Sequence, residues 1–463
     1  MLLVLGGIAI WWFIKGNEAS GNEVPESENC DVRPKYVFYF IADGMGQGYV
    51  EAAQKYNLQV LKSEQQLLMM QFPVQAVVTT HSASDTITDS AAAGTALATG
   101  CKANRDAVGV SHDNKKPQSI AQLLKCAGWG VGIVTSVCPD DATPAAFYAH
   151  QPSRFNYYEI GKELAASDFD FVAGSKLRAF EKDGKGTSLM ELLKENNVSV
   201  VRGFESLENA KSPKILLLSA DSDKQNVGYT IDSIKGALNL PQMTQACLEH
   251  LKKYSPDCFF MMVEGGNIDY AGHINDGGAA VKEVINFNQA IKVAYDFYLK
   301  HPQETLIVVT SDHDTGGLHL TDGEIAYVDF QRMSKDVMGD YNKEVLKSSR
   351  ACEWNDMKGF LSDKLGFWSK IPINDQQEKR LINKFNDIFV LRKPSVQKSR
   401  YSTVDDFTAE VYKMFNTMAG IGWTSDEHTG AKVNVYAIGV GADRFAKVKD
   451  NIHIYQELNI ITR

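Results

Sequence analysis

Four short apolar runs end abruptly in polar or acidic residues, and these endings constrain the fold more than any other feature of the chain. The runs are residues 35–42, 130–137, 258–263 and 305–310. Helical patterns such as residues 117–128 and 279–300 lie between them. Short apolar runs that alternate with helices are typical of parallel strands buried on both faces. We therefore predict an α/β fold with an open, mostly parallel sheet flanked by helices.

Reactive groups in such a sheet collect just beyond the carboxyl ends of the strands. The candidates at such strand ends are Asp43, Glu264, Asp312 and His313, and His428, which precedes the last predicted strand, can complete a site. Asp269 and His273 are four residues apart, so on a helical turn both side chains point to one side and can hold one ion. Mixed Asp and His ligands suit zinc, whereas carboxylates with a hydroxyl and water suit magnesium.

Ser90 opens a run of small residues, SAAAGTALAT, that ends at Gly100. If a helix begins at Ser90, its amino end favours an anion such as phosphate, and the small side chains let that anion approach closely. A serine hydroxyl is a poor nucleophile at neutral pH. Catalysis by Ser90 therefore needs a base or a metal ion beside it.

Each of these residues has a simpler explanation when it is taken alone. A carboxylate at a strand end, such as Asp43, is more often a helix N-cap than a metal ligand, and Ser90 could cap its own helix. Asp269 and His273 could form an ordinary pair on a helix surface. Capping hardly explains their joint occurrence after consecutive strands, so we favour the metal interpretation.

Composition is that of an ordinary globular enzyme. Of the 463 residues, 44% are hydrophobic and 23% are charged, which is enough apolar material for a large core. A formal net charge of −9 argues against a nucleic-acid partner, because binding to its backbone requires a basic patch. The seven cysteines form no CxxC pair, and one or two disulfides are allowed if the chain is exported.

Three segments of the chain differ in character. Residues 1–14 are continuously apolar, and we interpret them as an export signal or a short membrane anchor rather than a buried strand or helix. Residues 15–33 form a polar linker, and residues 34–463 form the expected catalytic domain. Within that domain, residues from about 320 to 421 carry charged and aromatic helical patterns. We expect them to form a largely helical insertion, either a cap over the site or a dimer contact.

The ordered motifs of the chain resemble those of the alkaline phosphatase family, in its bacterial type. They are IADGMG around Asp43, TDSAAAGTALATG around Ser90, DATPAAFYAH from Asp141, then Arg154, VEGGNIDYAGH from Val263, SDHDTGG from Ser311 and EHTG from Glu427. Each motif alone is weak, whereas the ordered set is highly specific. The resemblance extends from about Pro34 to the C-terminus, apart from the insertion.

The resemblance implies two zinc sites and one magnesium site. One zinc ion would be held by Asp269, His273 and His428. The other would be held by Asp43, Asp312 and His313, with Ser90 as the ligand on the substrate side. The magnesium ion would share Asp43 and be completed by Thr143 and Glu264, with Asp141 orienting its water ligands.

The resemblance also implies hydrolysis of small-molecule phosphate monoesters to an alcohol and phosphate, through a covalent phosphoserine on Ser90. Arg154 would clamp the phosphate, since a planar guanidinium matches two non-bridging oxygens and favours a dianionic monoester. The chain departs from the family at Tyr270, where relatives often carry Lys, His or Trp, so phosphate affinity and turnover are open at this position.

Two kinds of alternative function stay open: another enzyme of the same superfamily, and a protein without catalytic activity. The same superfamily contains phosphodiesterases, phosphonate hydrolases and sulfatases, and a catalytically silent protein that binds metal or phosphate is the remaining alternative.

We expect the chain to be exported, either periplasmic or anchored to a membrane and facing outside the cytoplasm. Members of the family are frequently homodimers, so the resemblance allows a homodimer, but the sequence leaves the oligomeric state open.

Overall fold

The four apolar runs form neighbouring strands of one sheet in the computed structural model. The structure describes residues 33–181, 187–220, 225–348, 352–393 and 395–463. The nine strands of the sheet are β1 (Tyr36–Ile41), β2 (Val74–Val78), β3 (Gly130–Thr135), β4 (Phe171–Gly174), β5 (Ser199–Arg202), β6 (Ile215–Leu218), β7 (Phe259–Glu264), β8 (Thr305–Thr310) and β9 (Val433–Gly439). The predicted α/β fold with a mostly parallel sheet is confirmed.

The order of the strands places the chemistry of the chain at one edge. The sheet runs β2-β9-β8-β1-β7-β3-β4-β6-β5. Neighbouring strands from β8 to β5 are parallel, whereas β9 is antiparallel to both β8 and β2. The register aligns Ile41 with Thr310 and with Glu264, and Glu264 with Thr135. The carboxyl ends of β8, β1, β7 and β3 therefore lie side by side at one level.

Helices cover both faces of the sheet. They are α1 (Gln47–Gln59), α2 (Ser90–Thr99), α3 (Ile120–Cys126), α4 (Ala142–Ala145), α5 (Tyr157–Ala166), α6 (Leu189–Glu195), α7 (Gly203–Leu207), α8 (Leu240–Tyr254), α9 (Asn267–His273), α10 (Gly277–Tyr298), α11 (Lys335–Lys347), α12 (Trp354–Leu365), α13 (Asp375–Phe385), α14 (Asp406–Met418) and α15 (Asn451–Thr462). Short 3-10 segments lie at Leu68–Gln71, Thr230–Asp232, Ile325–Phe330 and Ala442–Lys447, and a π segment at Asn386–Val390.

Two hydrophobic cores lie on the opposite faces of the sheet, because successive side chains of a strand point to opposite sides. In β1, Phe38 and Phe40 belong to the core shared with α1, α8 and α10. Val37, Tyr39 and Ile41 belong to the core shared with α2, α3 and α15. Full burial of such a side chain stabilises the fold by about 1.5–3 kcal/mol. The central strands are therefore a firmly packed support for the groups at their ends.

Side-chain hydrogen bonds explain two places where the structure departs from the predicted ends of a helix and a strand. The helical pattern at residues 117–128 becomes the shorter α3, because Ser119 forms a capping box with Gln122 and starts the helix there. Strand β3 stops at Thr135, two residues before the end of its apolar run. There the Thr135 hydroxyl donates to Glu264 instead of facing the core.

The expected insertion is largely helical in the part that the structure describes. Helices α11 to α14 lie between β8 and β9. They are accompanied by a small antiparallel hairpin, Val396–Lys398 paired with Thr403–Asp405, which the sequence did not indicate. Other short strand pairs join His319–Leu320 to Ile421–Gly422 and Asp314–Thr315 to His428–Thr429.

The predictions for residues 1–14 and for most of the linker 15–33 lie outside the described residues. Within the described ranges, no helix is long and apolar enough to span a membrane. The six cysteines found there are all free, so the disulfides allowed by the sequence do not form among them. Cys30 lies outside the described residues.

Candidate metal centre

The strand ends bring the predicted ligands together at one edge of the sheet. Asp43 follows β1, Asp312 and His313 follow β8, and Glu264 is the last residue of β7. The chain then turns directly into α9, which carries Asp269 and His273 on one side as predicted. His428 comes from far along the chain and is placed by the short strand pair with Asp314–Thr315. We call Asp269, His273 and His428 the first ligand group, and Asp43, Asp312 and His313 the second ligand group.

The ligand atoms of the first group converge on one point. His273 Nε2 lies 3.0 Å from His428 Nε2 and 3.4 Å from Asp269 Oδ1. His428 Nε2 lies 3.7 Å from the same carboxylate oxygen. All three side chains are buried. Such a cluster of two imidazoles and one carboxylate matches the ligand set of a divalent ion, with zinc the best fit.

The other ring nitrogens of the two histidines show why a cation fits between them. His273 Nδ1 lies 2.6 Å from the carbonyl oxygen of Asp426, and His428 Nδ1 lies 2.9 Å from that of Thr88. A nitrogen beside a carbonyl oxygen carries the proton, so in neutral rings both Nε2 atoms present lone pairs. Two lone pairs that face each other across 3.0 Å repel unless a positive charge lies between them.

The second ligand group is built in the same way around His313. Its Nε2 atom lies 3.4 Å from Asp43 Oδ1 and 3.3 Å from Asp312 Oδ2. Both of these oxygens are buried without a hydrogen-bond partner. The other oxygen of Asp312 accepts from the backbone N–H groups of Gly44 and His313, at 3.1 and 2.9 Å, which turns Oδ2 towards the site. His313 also lies within 4.8 Å of Asp269 and His428, so the two groups are adjacent.

A third set of oxygens lies on the other side of Asp43. Thr143 donates to Asp43 Oδ2 at 3.3 Å, and Glu264 faces the same carboxyl group. Glu264 is 1% exposed and is held by the hydroxyl of Thr135. This set contains only oxygen atoms, which is the ligand chemistry that magnesium prefers.

Without a cation, burial and mutual repulsion make these carboxyl groups weak acids. Burial and the charge of Asp269 raise the pKa of Asp312 to about 7. Burial, with the charges of Asp141 and Asp312, raises the pKa of Glu264 to about 8. Burial and the charge of Asp312 raise the pKa of Asp43 well above its usual value. A divalent ion would stabilise the ionised forms and reverse these shifts.

Ser90 stands at the junction of the second ligand group and α2. Its Oγ atom lies 3.1 Å from His313 Nε2, and its side chain is buried. Asp89, not Ser90, caps α2 by accepting from the N–H of Ala92. The capping explanation of Ser90 is therefore wrong, and its hydroxyl is left free to face the ligands. Gly100 ends the helix in a left-handed conformation, as predicted.

Arg154 reaches the same region and is fixed by two acids. Its Nη2 atom donates to Asp141 Oδ1 at 2.9 Å, and its Nη1 atom lies 3.5 Å from Asp89 Oδ2. The Nη1 atom is buried and has no hydrogen bond. A buried guanidinium nitrogen that forms no hydrogen bond, next to the residue before Ser90, is a place where an anion oxygen would bind.

Asp141 accepts hydrogen bonds from two arginines, a tyrosine and a backbone N–H group. Besides Arg154 and the N–H of Ala142, it accepts from Arg178 at 2.5 Å and from the Tyr270 hydroxyl at 2.9 Å. Although burial would raise it, the pKa of Asp141 is held far below its usual value by Arg178 and Arg154. Asp141 therefore keeps its charge and anchors both arginines, and its predicted place at a magnesium ion stays a prediction.

Sequence reasoning missed several residues around the site. Arg178 lies four residues after β4, so the rule that reactive groups follow strand ends could have found it. Tyr401 stacks on Tyr270 with ring centroids 3.9 Å apart, and Arg400 lies beside it. Both belong to the hairpin of the insertion, where no motif marks them. Thr315, which donates to Asp269 at 2.5 Å, lies within a recognised motif but was not singled out.

Comparisons with known proteins match the chain to one family. The sequence profile described as alkaline phosphatase matches residues 34–463. Alkaline phosphatase 4 of Bacillus subtilis is 29% identical over 448 residues, which cover 93% of this chain and 91% of the relative. A cold-active alkaline phosphatase from Shewanella has a TM-score of 0.78 at 27% identity, covering 92% of this chain and 99% of its own. A histidine-to-aspartate variant of the alkaline phosphatase of the Antarctic bacterium TAB5, with magnesium in its M3 site, has a TM-score of 0.64 at 25% identity, covering 93% and 98%.

Removal of divalent ions with EDTA is expected to lower the Tm of the protein, and to lower it more at pH 8 than at pH 6. In the metal-free fold, Asp312 and Glu264 keep their protons up to about pH 7 and pH 8. In the unfolded chain they ionise near pH ~4. The metal-free fold thus binds more protons than the unfolded chain in this window, so its stability falls as pH rises.

Differential scanning calorimetry of metal-loaded and EDTA-treated protein at both pH values measures this difference. Bound ions replace the protons, so the loaded protein should not show the same loss. Restoring zinc and magnesium should restore the Tm. An equal Tm with and without EDTA at both pH values would contradict the assignment of these carboxylates to metal sites.

Proposed function

The chain belongs to the alkaline phosphatase family and is an enzyme of that family, and we propose that it hydrolyses phosphate monoesters through a covalent phosphoserine on Ser90. The observation that carries the proposal is the position of the Ser90 hydroxyl, 3.1 Å from His313 Nε2 at the amino end of α2.

Two zinc ions and one magnesium ion are the cofactors that the proposal includes. Zinc suits the first and second ligand groups, because each combines imidazole nitrogen with carboxylate oxygen. Magnesium suits Asp43, Thr143 and Glu264, which offer oxygen alone. The unsatisfied oxygens of Asp43, Asp269 and Asp312 support these places. When bound, paired cations lower the pKa of an attacking hydroxyl and offset the charge of the attacking and leaving oxygens.

In the proposed reaction, Ser90 Oγ forms a bond to phosphorus and the ester oxygen leaves as an alcohol. Water then cleaves the phosphoserine and releases inorganic phosphate. The N–H groups of the first turn of α2 add positive potential where the phosphoryl oxygens would lie. Arg154 would bind two of those oxygens, one through Nη1, which forms no hydrogen bond, and one through an adjacent N–H of its guanidinium.

Asp141 and Tyr270 are proposed to position the arginines. Asp141 accepts from both Arg154 and Arg178, so movement of either side chain would break a buried ion pair. The Tyr270 hydroxyl accepts from Arg178 at 2.8 Å and donates to Asp141. Tyr270 therefore joins this network instead of adding a charge of its own. Tyr270 is uncharged, and the neighbouring Arg178 supplies a positive charge instead.

The cellular properties of the chain stay predictions. Export was expected from residues 1–14, which lie outside the described residues, and the family resemblance allowed a homodimer. The division into leader, linker and catalytic domain also stays a prediction, as does the role of each site residue.

Ser90→Ala is expected to lower kcat by about 10³-fold or more, because the nucleophile of the first step is lost. The variant should still bind metal, since the carboxylate and imidazole ligands are unchanged. Steady-state assays with p-nitrophenyl phosphate and metal analysis of the same samples measure both properties. Ser188→Ala is a matched control, because Ser188 only caps α6. Near-normal turnover by Ser90→Ala would refute the phosphoserine mechanism.

The wild-type enzyme is expected to prefer p-nitrophenyl phosphate over bis-p-nitrophenyl phosphate by at least about 10²-fold in kcat/KM. A diester carries one negative charge and one non-bridging oxygen fewer than a monoester dianion, and charge-assisted hydrogen bonds contribute about 1.5–3 kcal/mol each. Arg154→Gln should lose most of its activity on the monoester and much less on the diester. A wild-type preference for the diester would instead support a phosphodiesterase.

A further inference from the structure

The insertion reaches the metal centre through its small hairpin. Lys398 pairs with Thr403, and the N–H of Ser399 donates to the carbonyl oxygen of Ser402 at 2.8 Å, which closes the turn. We call residues 399–402 the hairpin tip. The second strand leads directly into α14, whose N-cap Asp405 also accepts from Asn342 of α11 at 3.2 Å. The tip is thus attached to the packed helices of the insertion.

Tyr401 seats the tip against the first ligand group. Its ring stacks on Tyr270 with centroids 3.9 Å apart and planes inclined by 18°. The Tyr401 ring also contacts the His273 ring, and their centroids lie 5.2 Å apart. Stacked aromatic pairs stabilise an arrangement by about 0.5–1.5 kcal/mol beyond their buried area. The tip therefore has a defined place over His273.

Among the residues that the structure describes, Arg400 has no anionic partner at this place. Its guanidinium lies 5.8 Å from the centre of the Tyr401 ring, and it forms no hydrogen bond or ion pair within the described residues. Its side chain is nevertheless partly buried. Arg154 and Arg178, by contrast, are both paired with Asp141. A partly buried, unpaired guanidinium next to a catalytic centre is available to bind an anion.

The electrostatics of the site agree with this position. Burial and the charge of Arg154 oppose the charge of Arg400, while Tyr401 and Asp269 favour it, and on balance its pKa is raised. The guanidinium is thus within electrostatic reach of both the phosphate clamp and the first ligand group.

The direction of the proposed reaction indicates which part of the substrate would lie next to the hairpin tip. In an in-line displacement, the attacking and leaving oxygens lie on opposite sides of phosphorus. Ser90 approaches from beside His313, in the second ligand group. The leaving group must then depart over the first ligand group, where the hairpin tip lies against His273.

We propose that Arg400 is a specificity-determining residue that binds a negative charge on the leaving group of the substrate. The inference rests on the proposed phosphomonoesterase function and deepens it. It predicts a preference for phosphate monoesters whose alcohol portion carries a carboxylate or a further phosphate near the ester bond. Arg154 and the amino end of α2 would serve the transferred phosphoryl group, and Arg400 would serve the group that leaves.

Two substrates of nearly equal shape test this proposal. 3-Phosphoglycerate carries a carboxylate where glycerol 3-phosphate carries a neutral hydroxymethyl group. The ratio of their kcat/KM values should fall by about tenfold in Arg400→Gln, the size expected for one charge-assisted hydrogen bond. Arg400→Lys should retain part of the preference, because its charge remains but the planar fork is lost. Lys379→Gln, an exposed change on α13, is the control and should leave the ratio unchanged.

A binding measurement separates this proposal from the function on which it rests. In the Ser90→Ala background, calorimetric titration with 3-phosphoglycerate should give about tenfold weaker binding when Arg400→Gln is added, with an unchanged Tm. An equal loss for both substrates, or a ratio within twofold of wild type, would overturn the proposal. Absence of wild-type turnover on any phosphate monoester would instead refute the proposed function.

Discussion

Repulsion between buried groups of like character is the constraint on which the metal centre depends. Asp43 and Asp312 each point an unsatisfied oxygen into the site, and two imidazoles face each other through nitrogen lone pairs 3.0 Å apart. Buried charges of one sign cost several kcal/mol each unless opposite charge compensates them. Paired cations would remove this cost, and the same cations would activate Ser90. Stability and catalysis are thus two consequences of one arrangement.

The sheet makes this unfavourable arrangement possible. Strands β8, β1 and β7 are buried on both faces, and their parallel register brings three acidic strand ends to one level. Packing of this kind cannot relax by moving one strand, because each strand contributes to both cores. The ligands are therefore held in place before any ion arrives, as an efficient site requires.

The sequence predicted the parts of the site that local rules control. Strand ends, the spacing of Asp269 and His273, and the helix that begins at Ser90 all follow from periodicity and capping. Arg178, a partner of Asp141, was missed although it follows β4 by four residues, because no motif surrounds it and only the order of the strands brings it to Asp141. Arg400 and Tyr401 were missed for a related reason: their hairpin lies at the surface of an insertion, and only the tertiary packing of α11 and α14 brings its tip onto Tyr270.

Anomalous X-ray diffraction from crystals of the active protein tests the central claim most directly. Data collected on both sides of the zinc absorption edge should give two difference peaks. One should lie among Asp269, His273 and His428, and the other among Asp43, Asp312 and His313, with Ser90 Oγ next to the second. Fully active crystals with no anomalous peak at either ligand group would contradict the account.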